Sequence, residues 1–138
     1  MAPILTAERY AIERATCDKA AAHPDYAACD NAMRGRVAQY ELLTNPPERF
    51  VAYIGKPLQE AKPETHNKYI SDNANRRWRV TTWTGDHLGV AEVTSTWRTP
   101  RSFVSSTMSS YRVTMAGKVY HGRSAGEGMA ISLKRAKG

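Results

Sequence analysis

The stretch RRWRVTTWTGDHLGVAEVTSTW, residues 76 to 97, decides how this chain folds. β-branched and aromatic residues alternate with polar ones on both sides of Gly85-Asp86, a two-residue turn signal, so the stretch reads as a β-hairpin. Pairing outward from that turn sets Trp83 opposite Leu88, Val80 opposite Ala91, Arg79 opposite Glu92 and Trp78 opposite Val93. Apolar then meets apolar and opposite charges meet, as a stable register requires. Trp78 and Val80 face a core with Ala91 and Val93. Arg77, Arg79 and Trp83 lie on the other face, where interleaved arginine and tryptophan suit phosphate clamping and base stacking.

Upstream, TAERYAIERATCDKAAA (6–22) predicts a helix with Thr6 as N-cap and Glu8 in the first turn. Leu5, just before the cap, is placed to staple onto Tyr10. His23-Pro24 breaks it, and Pro24 suits the first turn of a second helix. Tyr26, Cys29, Met33, Val37 and Tyr40 form the apolar stripe of that helix, which NPP at 45–47 ends. Residues 1–45 are therefore expected as an antiparallel helical hairpin. Cys17 and Cys29 are equally far from His23 at its corner. Two thiols and one imidazole fall short of a zinc site, and without a signal-peptide pattern a cytoplasmic protein is expected. Both cysteines are then expected as reduced thiols packing the helices closely.

FVAYI (50–54) alternates as a strand. Residues 55–75 read as a loop with a helical turn at 57–62. TPRSFVSSTMSSY (99–111) carries a helical stripe of Phe103, Val104, Thr107, Met108 and Tyr111 behind a Thr-Pro start, and a short helix is expected. YRVTM-AG-KVYHG predicts a second hairpin with Val113 opposite Tyr120, and MAISLKR (129–135) a last strand. The fold class is thus α+β: one domain over 1–138, a helical hairpin packed on a mostly antiparallel sheet of about five strands in residues 50–138.

YHGRSAGEGM (120–129) contains a G-x-S-x-G match centred on Ser124. A nucleophile elbow needs a following helix and a later histidine. Neither is in view, so Ser124 is read as a turn residue, and Gly122, Gly126 and Gly128 as positions of positive φ. No Walker or dinucleotide pattern is present. The stretch from Tyr111 to Lys137 resembles a double-stranded-RNA-binding domain, a Y-x-V strand passing through a glycine-rich loop into basic residues. The lysine-rich helix start of that family is absent, and the chain is not assigned to it. His23, His66, His87 and His121 show no metal-ligand spacing, and neither metal nor cofactor is expected.

Charge is the main functional signal. Twenty Lys and Arg oppose thirteen Asp and Glu, a net charge of +7. Residues 1–95 are balanced. From 96 onward, Arg98, Arg101, Arg112, Lys118, Arg123, Lys134, Arg135 and Lys137 face only Glu127. No apolar run is long enough to span a membrane. Such asymmetry points to a polyanionic partner. The expected interface is Arg77, Arg79, Trp83, Arg98, Arg101, Arg112, Lys118, Arg123, Lys134 and Arg135. Two non-enzymatic functions follow: binding nucleic acid by its backbone, or docking on an acidic protein surface as an inhibitor or adaptor. The second is the habit of compact accessory proteins of phage and other mobile elements, such as inhibitors of host defence complexes.

Overall fold

The computed structural model describes residues 2–23, 27–58, 77–99 and 106–137. Two helices, α1 (Ala7–Ala22) and α2 (Asn31–Thr44), precede six strands: β1 (Arg49–Pro57), β2 (Arg77–Thr81), β3 (His87–Thr99), β4 (Ser106–Met115), β5 (Lys118–Ser124) and β6 (Ala130–Arg135). Each strand pairs antiparallel with the next, and β6 returns to pair with β1. The sheet is therefore a closed six-stranded barrel, not an open sheet of about five strands. Closure buries one face of every strand and removes the exposed edges that an open sheet would leave.

The barrel is filled by alternate residues. Ala52 and Ile54, Trp78 and Val80, Leu88 and Ala91, Val113 and Met115, Tyr120, Ile131 and Leu133 are buried in one cluster. The inward face of the opening hairpin is thus as its alternation predicts, but its register is not. Trp78 pairs with Ala91, Arg79 with Val90 and Arg77 with Glu92, and the ladder irregularly joins Thr81 to His87. The turn is longer than two residues because Asp86 closes it. Its carboxylate accepts from the Thr82 and Thr84 hydroxyls at 2.7 and 2.6 Å, and Thr82 N–H donates to Asp86 O at 2.9 Å. Trp83 is left in this loop rather than opposite Leu88, and is 67% exposed.

Two further expectations are corrected. Residues 106–111 are strand, not helix, because β3 supplies backbone partners along the segment and β5 joins on the other side from Ser109, with Tyr111 between Val93 and Gly122. Residues 100–105, including Arg101, lie outside the described residues, as does nearly all of the 55–75 loop and its helical turn, beyond the end of β1 at Pro57. The second hairpin is as predicted. Val113 faces Tyr120, and Ala116 and Gly117 both take positive φ, the twist-matched two-residue turn. Gly122, by contrast, is a strand residue. A Cβ there would lie 2.6 Å from Ser132 O, so glycine is required by close approach rather than by positive φ.

α2 seals one end of the barrel. Leu43 joins the core and Leu42 packs against it. Buried Gln39 donates to His87 O at 2.8 Å and accepts from Ile4 N–H at 2.9 Å. The helix starts at Asn31, not near Pro24, because the Asp30 carboxylate caps it by accepting from Met33 N–H at 2.8 Å. α1 lies antiparallel on α2: Tyr10 stacks on Tyr40 at 4.1 Å, and Glu13 accepts from Arg9 and from Arg36 of α2, both at 3.0 Å. Thr6 caps it as expected. Cys17 and Cys29 are joined in a disulfide, with Cα atoms 5.0 Å apart. They are not the free thiols expected for a cytoplasmic chain; the hairpin brings them within bonding range.

Alkylation without reductant should add no label to the intact protein, and two after reduction. Replacing both cysteines by serine should cost about 3 kcal/mol of unfolding free energy through the released loop entropy. A second prediction concerns His87, whose Nδ1 is buried without a hydrogen-bond partner among the described residues. Burial, then the Arg79 charge, holds its pKa below the ordinary imidazole value. A depressed imidazole pKa means that the unfolded chain binds the proton more tightly. Stability is thus full above about pH 6.5 and declines as pH falls below it. Thermal melts taken from pH 7.5 to 5 should show the decline, and His87→Gln should lessen it.

Candidate functional site

Alternation sends every second side chain of the barrel outward. Neighbouring strands align these outward residues in a row around the wall. Arg77 faces Glu92, Glu92 faces Arg112, Arg112 faces His121, His121 faces Lys134, and Lys134 faces Arg49. All six flank inward residues directly: Trp78, Ala91, Val113, Tyr120 and Leu133 of the core, and Phe50 packed against it, are their chain neighbours. Strands lie about 4.8 Å apart, so the span from Arg112 to Arg49 is roughly 14 Å along the wall.

Glu92 is the single acid in the row. Its carboxylate accepts from Arg112 Nη2 at 2.8 Å. The expected Arg79–Glu92 pair is therefore corrected: with the register displaced, Arg79 faces Val90, and Arg112 rather than Arg79 takes the partner. Among the described residues Arg49, Arg77, Lys134 and Arg123 make no ion pair. Arg49 directly opposite Lys134 is a like-charge cross-strand pair, which is unfavourable until an anion relieves it.

Arg123 sits beyond His121 on β5, opposite Ser110, and its guanidinium lies 5.5 Å from the centre of the Trp97 ring. The stacking holds an otherwise loose side chain in one orientation. A groove of about 370 Å³ runs between Thr94 and Ser110 on one side and His121, Arg123 and Lys134 on the other. A second, of about 330 Å³, lies between Arg49 and Lys134 over Phe50, Val51 and Leu133. Lys134 borders both.

The structure thus gathers Arg112, Arg123 and Lys134 from the predicted interface, with Arg77 next in line beyond Glu92. It separates the others. Arg79 and Lys118 lie toward the β4–β5 turn, Arg98 toward the far end of β3, and Trp83 beside α2. Arg135 is structural: its guanidinium donates to Pro46 O and lies 5.8 Å over the Tyr120 ring, whose hydroxyl donates to Pro47 O at 2.7 Å. Sequence reasoning missed Arg49 and His121. The alternation of YRVTM-AG-KVYHG, paired at its predicted register, already sets His121 opposite Arg112. Arg49 enters only through closure of β1 on β6.

Ser124 offers no nucleophile geometry. It is 2% exposed, and its Oγ accepts from Gly126 N–H at 3.3 Å. Among the described residues no group of three or more His, Cys, Asp and Glu is placed to hold a metal, and no helix is long and apolar enough to cross a membrane. No protein-family model, curated protein or solved structure matches the chain.

Because Ser124 is buried and bonded rather than exposed in a turn, Ser124→Ala should cost about 1 kcal/mol of stability. A fluorophosphonate probe should label neither form.

Proposed function

We propose that this protein is a non-enzymatic nucleic-acid-binding protein that holds the phosphate backbone along the outer row of its barrel. The carrying observation is the like-charged pair Arg49–Lys134, contiguous through His121 with Arg112 and without an acidic partner among the described residues. Spaced cations on a regular surface match a polymer of regularly spaced phosphates, whose bound counterions they displace. Arg123, fixed over Trp97, adds a planar guanidinium suited to bidentate phosphate contact.

The six residues of the row are all charged or polar, and beside it the exposed apolar side chain lining the Arg49–Lys134 groove is Val51. Protein interfaces carry an apolar or aromatic centre depleted in charge. That contrast favours nucleic acid over the acidic protein surface of an inhibitor or adaptor. The Cys17–Cys29 bond bears on where binding occurs. Such bonds persist in oxidising surroundings and are rare in a reducing cytosol. We therefore place the working protein in an oxidising compartment, in preference to the cytoplasm suggested by the sequence.

Binding to nucleic acid should weaken steeply with salt. Arg49→Ala with Lys134→Ala should leave the circular dichroism spectrum unchanged and lower the slope of log K against log salt by about two, one per lost phosphate contact. An unaltered slope in a folded double variant would move the interface off this row. Nuclease-resistant co-purification of one protein at moderate salt would favour the inhibitor reading instead.

A further inference from the structure

Trp83 stands apart from the cationic row, in the loop joining β2 to β3. It is more exposed than any other large apolar side chain among the described residues. The loop that carries it is not loose. The Asp86 carboxylate accepts from the Thr82 and Thr84 hydroxyls, Asp86 N–H donates to Thr82 Oγ1 at 3.1 Å, and Gly85 N–H donates to Thr82 O at 3.0 Å. α2 braces the loop as well. A Cβ at Gly35 would collide with the Thr84 hydroxyl and the Asp86 carboxylate, so helix backbone and loop meet with no side chain of Gly35 between them. Trp83 is thus presented to solvent from a braced frame, with aromatic surface left to bury.

Beside the ring is a cleft of about 260 Å³, lined by Trp83 and Thr84 from the loop and by Asn31, Arg34, Gly35 and Ala38 of α2. No acidic residue lines it. The Asn31 amide and the Arg34 guanidinium are exposed and make no hydrogen bond or ion pair among the described residues. The loop is at the opposite end of β2 and β3 from Arg77 and Thr99, where the chain leaves the described residues.

We propose that this cleft takes one unpaired nucleobase, stacked on Trp83 and held at its edge by Asn31 and Arg34. The inference rests on the nucleic-acid reading above and adds that the bound strand is single. The volume is below the roughly 300–1,000 Å³ of drug-sized pockets and suits one ring system. Every base has a face that stacks on an aromatic side chain, and a base inside a duplex has that face covered. Base edges offer donors and acceptors together, as the Asn31 amide does, and Arg34 donates to base acceptors or to the adjoining phosphate. An apolar ring from a protein partner would fill the cleft but leave both polar groups unanswered, at a cost in affinity.

The test is titration of the full chain, at one salt concentration, with a short single DNA strand, an abasic strand of equal length, the same sequence as a duplex, and adenosine monophosphate. The abasic strand carries the phosphates without the bases and so separates stacking from charge. The base-bearing strand should quench tryptophan emission and bind roughly tenfold more tightly than the abasic strand or the duplex. Trp83→Ala, at an exposed position, should remove the quench and lower the strand's affinity to that of its abasic counterpart. Trp83→Phe, which keeps a ring face, should retain part of the difference. Equal affinity for the base-bearing strand and either control, or a quench that survives Trp83→Ala, overturns the base site. If Arg49→Ala with Lys134→Ala still lowers the salt slope, the phosphate row stands without it. Quenching by adenosine monophosphate at the strand's own concentration upholds the base site and overturns the strand as its ligand. Binding of no nucleic acid, with Trp83 shielded from iodide by a protein partner, overturns both readings.

Discussion

The antiparallel pairing of Arg49–Tyr53 with Ala130–Lys134 is the constraint on which the rest of the structure depends. It joins the first strand to the last and converts a meander of hairpins into a barrel. Ala52, Ile54, Ile131 and Leu133 then become core, each at most 2% exposed. The seam is reinforced at its ends. Arg135 N–H donates to Glu48 O, Gly128 N–H donates to Ile54 O, and Tyr120 and Arg135 both bind carbonyls of the Pro46–Pro47 segment. Those prolines end the helical hairpin and lead the chain into β1, so the same segment separates the two parts and anchors them together.

The helices are held by different means. α2 belongs to the barrel through Leu43 and the Gln39 bridge. α1 buries little apolar surface; Glu13 and Ala20 are its only buried residues. It is fixed by polar and covalent contacts instead: Arg9 and Arg36 on the Glu13 carboxylate, Arg14 on Glu41, the tyrosine stack and the disulfide. Breaking the Glu13 group would strand a buried charge, a far larger effect than losing an exposed pair such as Arg14–Asp18. The bond between Cys17 and Cys29 does for α1 what an apolar stripe does for α2.

Closure also creates the electrostatics. The barrel wall has one inward and one outward set, and the inward set is entirely spent on packing. Arg112 and Lys134, from the cation-rich end of the sequence, then face outward in register on the wall. Arg49 joins them from the opposite end of the strand order. Crowded like charges of this kind are the basis of the anion-binding role proposed above.

The sequence by itself determined most of the elements, though not the strand at 106–111, and which side of each is apolar. Thr6 capping α1, the Ala116-Gly117 turn and the alternation of Trp78, Val80, Val113, Tyr120, Ile131 and Leu133 are local signals, and the structure agrees with them. It also located the excess of charge. Register and closure were decided only by tertiary contacts. The Asp86 carboxylate gathers two threonine hydroxyls into a longer loop, displacing the hairpin ladder and giving Glu92 to Arg112. Residues 106–111 carry a helical stripe that strand pairing overrides, with β3 along the whole segment and with β5 from Ser109 onward. The fate of Cys17 and Cys29 depends on two helices meeting, and the presence of Arg49 beside Lys134 on strands far apart in the chain. Periodicity is a property of a few consecutive residues and can be read along the chain. Partnership is a property of distant ones and exists only once the chain has closed on itself.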